Sequence, residues 1–183
     1  MNNIFCALLF LLFELNVTLY DGGLSYCIWL IPRFLGYFIL LKECEAVQEN
    51  RWYEKNRPLF FILGCMEFMR YLINHTITYR LGNMYISITS ALSLCATIFV
   101  VYILTQVVRE FQSKYEVAIG AEKLRVLWIL MTIINIASIF VSANLFGWIC
   151  KLFVSTVYCV CFLRSKRMLL EQVPGNEIEK FNR

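Results

Sequence analysis

The chain has 183 residues, 60% of them hydrophobic and 16% aromatic, with only 16% charged, three prolines and a formal net charge of +4. That balance lies far from an ordinary soluble domain, and a lipid bilayer is the solvent such a surface suits. No basic groove with interleaved aromatics occurs, so the positive charge points to anionic lipid and argues against nucleic acid as a partner.

A membrane-crossing helix takes about 20 apolar residues at about 1.5 Å each. In chain order six stretches meet that requirement: 3–20, 24–42, 59–79, 84–107, 124–142 and 146–163. The expected fold is an all-α membrane protein with a single transmembrane domain over 1–167, built as three sequential helical hairpins, and a cytoplasmic tail over 168–183. The connectors alternate in kind. Asp21-Gly22-Gly23, Arg80 to Asn83 and Ser142 to Asn144 are tight and nearly uncharged, whereas 43–58, 108–123 and the tail from Arg164 are long and charged. Thirteen of the 17 Lys and Arg residues fall on the side of the long connectors, and only Arg80 on the other. The positive-inside rule then places both termini and both long loops in the cytoplasm, with the spans in the plasma membrane. The opening Met1-Asn2-Asn3, apolar from Ile4 onward, lacks the charged region and cleavage site of a removable signal, and reads as part of the mature chain.

The first hairpin is irregular. Phe13, Leu15, Val17 and Leu19 alternate with Glu14, Asn16 and Thr18, a period of two rather than 3.6. Non-helical backbone at membrane depth must be satisfied by protein or a watery cavity. Two readings stay open: a helix over 3–12 that breaks or re-enters here, and an ordinary tilted hairpin with a mildly polar end. Counted outward from Gly22-Gly23, Glu14 and Arg33 sit at depths within about 6 Å of each other and can reach across the hairpin. Pro32 and Gly36 are expected to weaken the second arm. Glu14, Asn16, Thr18 and Arg33 form the candidate polar intramembrane site, since an ionisable group at the bilayer centre costs at least about 2.5 kcal/mol.

Further along, Glu67 and Arg70 are three residues apart on one helix and form a candidate structural ion pair. Loop 43–58 offers Arg51, Trp52, Lys55 and Arg57 as a candidate partner-docking surface, with headgroup anchoring by Trp52 and Tyr53 as the competing reading. In 108–123, Phe111, Tyr115, Ala118 and Ile119 are spaced as a helix face. Both loops read as short interfacial helices. A polar stripe runs through Ser87, Ser90, Ser93 and Thr97, then Thr132, Asn135, Ser138 and Ser142, then Ser155 and Thr156. Small hydroxyl residues suit close helix packing, with a solute-lined path as the alternative.

Catalytic signals are missing from the sequence. The eight cysteines include no Cys-x-x-Cys, and Cys159 and Cys161 would point about 200° apart on a helix, so they read as small hydrophobes. The single histidine, His75, is ten residues from Cys65, about 15 Å along a helix. Neither Gly-x-Ser-x-Gly nor His-Glu-x-x-His occurs. The expectation is a non-enzyme with no catalytic residue, metal ligand or cofactor.

The strings Phe13-Glu14-Leu15-Asn16-Val17, Leu30-Ile31-Pro32-Arg33-Phe34-Leu35-Gly36-Tyr37, Lys55-Asn56-Arg57-Pro58-Leu59 and Glu122-Lys123-Leu124-Arg125 carry a resemblance along nearly the whole chain. It resembles a family of small, uncharacterised polytopic membrane proteins of Gram-positive, often anaerobic, bacteria with a Pro-x-Phe-x-Gly-Tyr signature, here Pro32, Phe34, Gly36 and Tyr37. Arg33 stands where that family usually has Asp, which reverses the charge. The resemblance implies topology and no mechanism. The expected role is a non-catalytic subunit, sensor or regulator in a membrane assembly; the alternative is a small-solute or ion transporter or channel component with a pocket around Glu14, Asn16 and Arg33. The bilayer is the implied partner, with a second copy or a membrane-complex component left open.

Overall fold

A computed structural model describes residues 2–13, 16–21, 24–29, 32–46, 51–77, 83–140 and 145–172. The described chain is predominantly helical: α1 (Asn2–Leu12), β1 (Asn16–Asp21), β2 (Leu24–Trp29), α2 (Arg33–Ala46), α3 (Arg51–Lys55), α4 (Arg57–Ile77), α5 (Asn83–Tyr115), α6 (Ala121–Phe140) and α7 (Leu145–Gln172).

The first hairpin is not a pair of continuous helices over 3–20 and 24–42. Helix α1 stops at Leu12, and β1 pairs with β2 in an antiparallel ladder from Asn16↔Trp29 to Asp21↔Leu24. The alternation from Phe13 onward is the cause: period two fits a strand, and Val17, Thr18 and Tyr20 are strand-favouring types. The two residues between Asp21 and Leu24 are Gly22-Gly23, the spacing and composition a two-residue hairpin connection needs. Pro32 stands where the second arm over 24–42 is interrupted: β2 ends at Trp29 and α2 begins only after the proline, with Leu35 N donating to Pro32 O at 3.2 Å. A proline lacks an N–H and costs nothing at a helix start.

Helices α1 and α2 pack antiparallel through complementary stripes. Ile4, Ala7, Leu8 and Leu11 are buried on α1, and Gly36, Tyr37 and Leu40 on α2, the spacing of one helix face. Gly36 lies where this packing is closest. A Cβ there would stand 2.8 Å from Leu11 Cγ and 2.9 Å from Ala7 O. Its role is close approach of two helices rather than helix weakening. At the far end Asn3 Nδ2 donates to Glu43 Oε1 at 2.5 Å.

Helix α2 also packs on α4, while α5, α6 and α7 form a second tightly packed group. The α5 core face runs through Val100, Leu104, Val107 and Phe111, and α7 answers with Val154, Tyr158 and Phe162. Tyr158 pins the pair: its hydroxyl lies 2.9 Å from Thr105 Oγ1 and donates to Val101 O at 3.3 Å. Trp128 of α6 donates Nε1–H to Ile98 O at 3.0 Å.

The stretch 108–123 does not form a separate short helix. Residues up to Tyr115 continue α5, and Phe111 and Ile119 are buried in the core. The helix ends with Glu116 at φ 53° and Val117 N donating to Gln112 O, a left-handed cap in which glycine is usual. Gln112 then accepts a hydrogen bond from Ala121 N at 3.1 Å, capping α6. The short helix expected within 43–58 does form, as α3. Helix α7 runs to Gln172, beyond the expected tail boundary. Among the described residues, Ile88–Tyr115 is the one helical stretch long and apolar enough to cross a membrane.

Candidate functional site

Polar residues gather where α2, α4 and α5 meet. The first turn of α2 aims Arg33 inward, where it is 4% exposed and donates from Nη1 to Ser93 Oγ on α5 at 2.7 Å. One turn on, the Thr97 hydroxyl donates to Ser93 O at 3.0 Å, so it is satisfied within its own helix. Tyr37, fully buried one turn beyond Arg33, places its hydroxyl beside Thr97 without hydrogen-bonding geometry, and within the fields of Glu67, Arg33 and Arg70. On α4, Arg70 Nη1 lies 3.2 Å from Glu67 Oε2, with both side chains about nine-tenths buried. Glu67 and Arg70 thus form an ion pair on one helix turn, facing α5.

Two spaces flank this cluster. Behind Arg33 is a cavity of about 10 Å³, bordered by Arg33 and Thr97 together with Asn135 of α6 and Lys151 and Ser155 of α7. It has the size of one water. Asn135 Nδ2 donates to Met131 O at 2.8 Å, while the Ser155 hydroxyl, 1% exposed, makes no hydrogen bond among the described residues. In front of the cluster, α4 and α5 barely touch and leave an open groove of about 640 Å³. Leu59, Leu63, Met66, Leu92, Ala96 and Phe99 form its apolar walls, and Glu67, Arg70, Thr89 and Ser93 its polar part.

Of the residues singled out from sequence, Arg33, Glu67 and Arg70 come together. Glu14 lies outside the described residues. Asn16 and Thr18 are placed in β1, opposite Trp29 and Cys27, and their side chains lie outside the described set. Arg33 instead meets Ser93, a residue of the small-hydroxyl stripe. Arg51 opens α3, with its side chain outside the described set, and Lys55 and Arg57 are exposed. Trp52 is engaged with the protein: its ring meets Tyr102 of α5 edge-on at 6.3 Å, and Tyr102 meets Trp128 at 5.0 Å. That ladder fixes α3 to α5, so Trp52 is partly spent on internal packing.

Tyr37 and Lys151 were not among the sequence candidates. Lys151 stands six residues into the apolar stretch 146–163, which was the available signal. Tyr37 stood out only as the last residue of the Pro32, Phe34, Gly36 and Tyr37 signature, because a tyrosine in a helical stripe otherwise reads as core. The described residues hold no group of three or more His, Cys, Asp or Glu able to bind a metal. Comparison with protein-family models, curated proteins and solved structures finds no match.

Proposed function

We propose that the chain is a multi-pass integral protein of the plasma membrane, a member of the family carrying the Pro32, Phe34, Gly36 and Tyr37 signature, that acts as a non-catalytic subunit, sensor or regulator. The observation that carries this reading is an apolar exterior around an apolar core that also buries charged and polar side chains. Outward positions on three helices are large and apolar, with Ile133, Phe153 and Val160 at 57%, 68% and 59% exposure and Ile62 and Met69 more than half exposed on α4. Arg33, Glu67, Ser93, Thr97, Asn135 and Ser155 are instead buried. In water such faces would drive aggregation; in lipid they are the ordinary surface, and polar groups belong inside.

Length supports the reading too. Ile88–Tyr115 of α5 is the described stretch both long and apolar enough to span, and α4, α6 and α7, with 21, 20 and 28 residues, match the hydrocarbon thickness of about 30 Å in length alone. Helix α1, with 11 residues, reaches only about 16 Å and needs the strand pair beyond it to complete the first hairpin. Of that pair, β2 packs on α4.

The alternative is a small-solute or ion transporter or channel component with a pocket around Glu14, Asn16 and Arg33; of that set the Arg33 side chain alone is described, and the cavity behind it has room for about one water. The buried hydrogen bond from Arg33 to Ser93 ties that side chain into helix packing, which favours the subunit or regulator role. The test is alkaline carbonate extraction of host membranes combined with reporter fusions after Lys55, Tyr79, Glu116 and Gln172. Retention in the pellet, with only the Tyr79 fusion reporting an outside location, is expected. Release into the supernatant, or an outside signal at Glu116, would refute the proposed topology.

A further inference from the structure

We propose that the groove between α4 and α5 holds one copper(I) ion on the sulfurs of Cys65, Cys95 and Met69, with Met66 as a second thioether. The site needs only the two helices that form the groove, so it stands apart from the membrane reading.

Sulfur converges on this groove from both sides. Cys65, Met66 and Met69 line it from α4, and Cys95 lines it from α5. The two helices are consecutive, with only residues 78–82 between them, a short connection that brings neighbouring helices back antiparallel. Cys65 stands 12 residues before the last residue of α4, and Cys95 12 residues after the first of α5. Both therefore lie about 18 Å from the connected ends, at one level of the groove. On α4, Cys65 and Met69 are four residues apart, and Met66 and Met69 three, the spacings that make side chains neighbours on a helix face. The sulfurs are also accessible. Both cysteines are free thiols, Cys65 half-buried and Cys95 exposed, and Met66 and Met69 are 53% and 55% exposed.

The donor set chooses the ion. Calcium and magnesium take oxygen ligands, and the carboxylate in the groove, Glu67, is engaged with Arg70 at 3.2 Å. Zinc takes thiolate, imidazole and carboxylate in a tetrahedral set, and no three His, Cys, Asp or Glu gather for it among the described residues. Thiolate with thioether is the soft combination that selects copper(I). A cysteine that ligates gives up its thiol proton to solvent. One such loss balances the single charge of the ion and leaves a neutral centre, which walls such as Leu63, Ala96 and Phe99 tolerate where a bare charge would be costly. Methionine has an unbranched side chain with three rotatable bonds, so Met66 and Met69 can adjust to an ion held between helices that scarcely touch.

The purified full chain in detergent, reduced and kept free of oxygen, is titrated with copper(I) against the chromophoric chelator bicinchoninate. One equivalent is expected to leave the chelator, with sulfur as the sole neighbour in the copper absorption-edge spectrum. Cys65→Ser and Cys95→Ser are each expected to weaken retention about a hundredfold, and Met66→Leu combined with Met69→Leu about tenfold, within the span known for impaired metal sites. Cys6→Ser leaves retention unchanged, and zinc(II) at equal concentration does not displace the ion. No uptake by the native chain would overturn the proposal, as would undiminished retention in the Cys65, Cys95 or methionine variants, or displacement by zinc(II). If a cysteine variant fails to fold, the native chain decides through maleimide labelling read by peptide mass. One equivalent of silver(I) then shields Cys65 and Cys95 while Cys6, exposed on α1, is still labelled; labelling of Cys65 and Cys95 at the unshielded rate would overturn the site equally.

Discussion

Gly36→Val is expected to prevent stable packing of the first two helices, and Gly36→Ala to lower the melting temperature of the detergent-solubilised protein by about 2–12 °C. The added Cβ meets Leu11 Cγ at 2.8 Å and the Ala7 carbonyl oxygen at 2.9 Å. A leucine side chain can swing aside, but a backbone carbonyl in a helix cannot without moving α1 as a body. Overpacking of this kind costs about 1–3 kcal/mol, and for a chain of this length each kcal/mol is worth about 2–4 °C. Two other glycines calibrate the experiment. At Gly64 a Cβ would meet Phe38 Cε1 at 3.2 Å and Tyr37 Cβ at 3.3 Å, so Gly64→Ala is expected to cost less. At Gly147 nothing lies within 4 Å, and Gly147→Ala should be neutral or stabilising by up to about 1 kcal/mol through helix propensity. Thermal melts of the three alanine variants check the order 36, 64, 147. A Gly36→Ala melt equal to the native one would mean that α1 and α2 do not approach so closely.

The ion pair between Glu67 and Arg70 gives the second large effect. Removing either partner alone leaves a buried charge beside a hydrocarbon surface, and each of Glu67→Leu and Arg70→Leu is expected to destabilise by about 3–5 kcal/mol. The double substitution removes both charges and should lie within about 1 kcal/mol of native, or above it. The resulting coupling far exceeds the few tenths seen for independent sites. Additive single effects would show that the two side chains do not pair.

These residues show what was legible in the sequence. The alternation from Phe13 to Tyr20 was visible as a period of two, and it is there that the helix gives way to a strand pair. Glu67 and Arg70 were legible because their spacing of three fixes them on one helix face. Arg33 could be seen as a charge needing an internal partner, but the partner found among described residues, Ser93, is 60 positions away, a distance that no local pattern encodes. Pro32 and Gly36 part company for a related reason. The proline interrupts the arm over 24–42 as local propensity says, whereas tertiary context makes Gly36 a contact surface inside a continuous helix. The stretch 108–123 misled because Phe111 and Tyr115 have the same spacing on a separate helix as on an extension of α5. The stop comes at Glu116, a residue whose type does not announce a left-handed backbone.

The most direct test of a protein whose outward faces are apolar is nitroxide accessibility in lipid nanodiscs. Labels at Ile133, Phe153 and Val160 should relax strongly with oxygen and weakly with a water-soluble nickel chelate. Labels at Glu122 and Arg167, whose side chains are 66% and 82% exposed near helix ends, should show the reverse. A multi-pass arrangement requires that split. Strong relaxation by the chelate at Ile133 and Phe153 would place those apolar faces in water and contradict it.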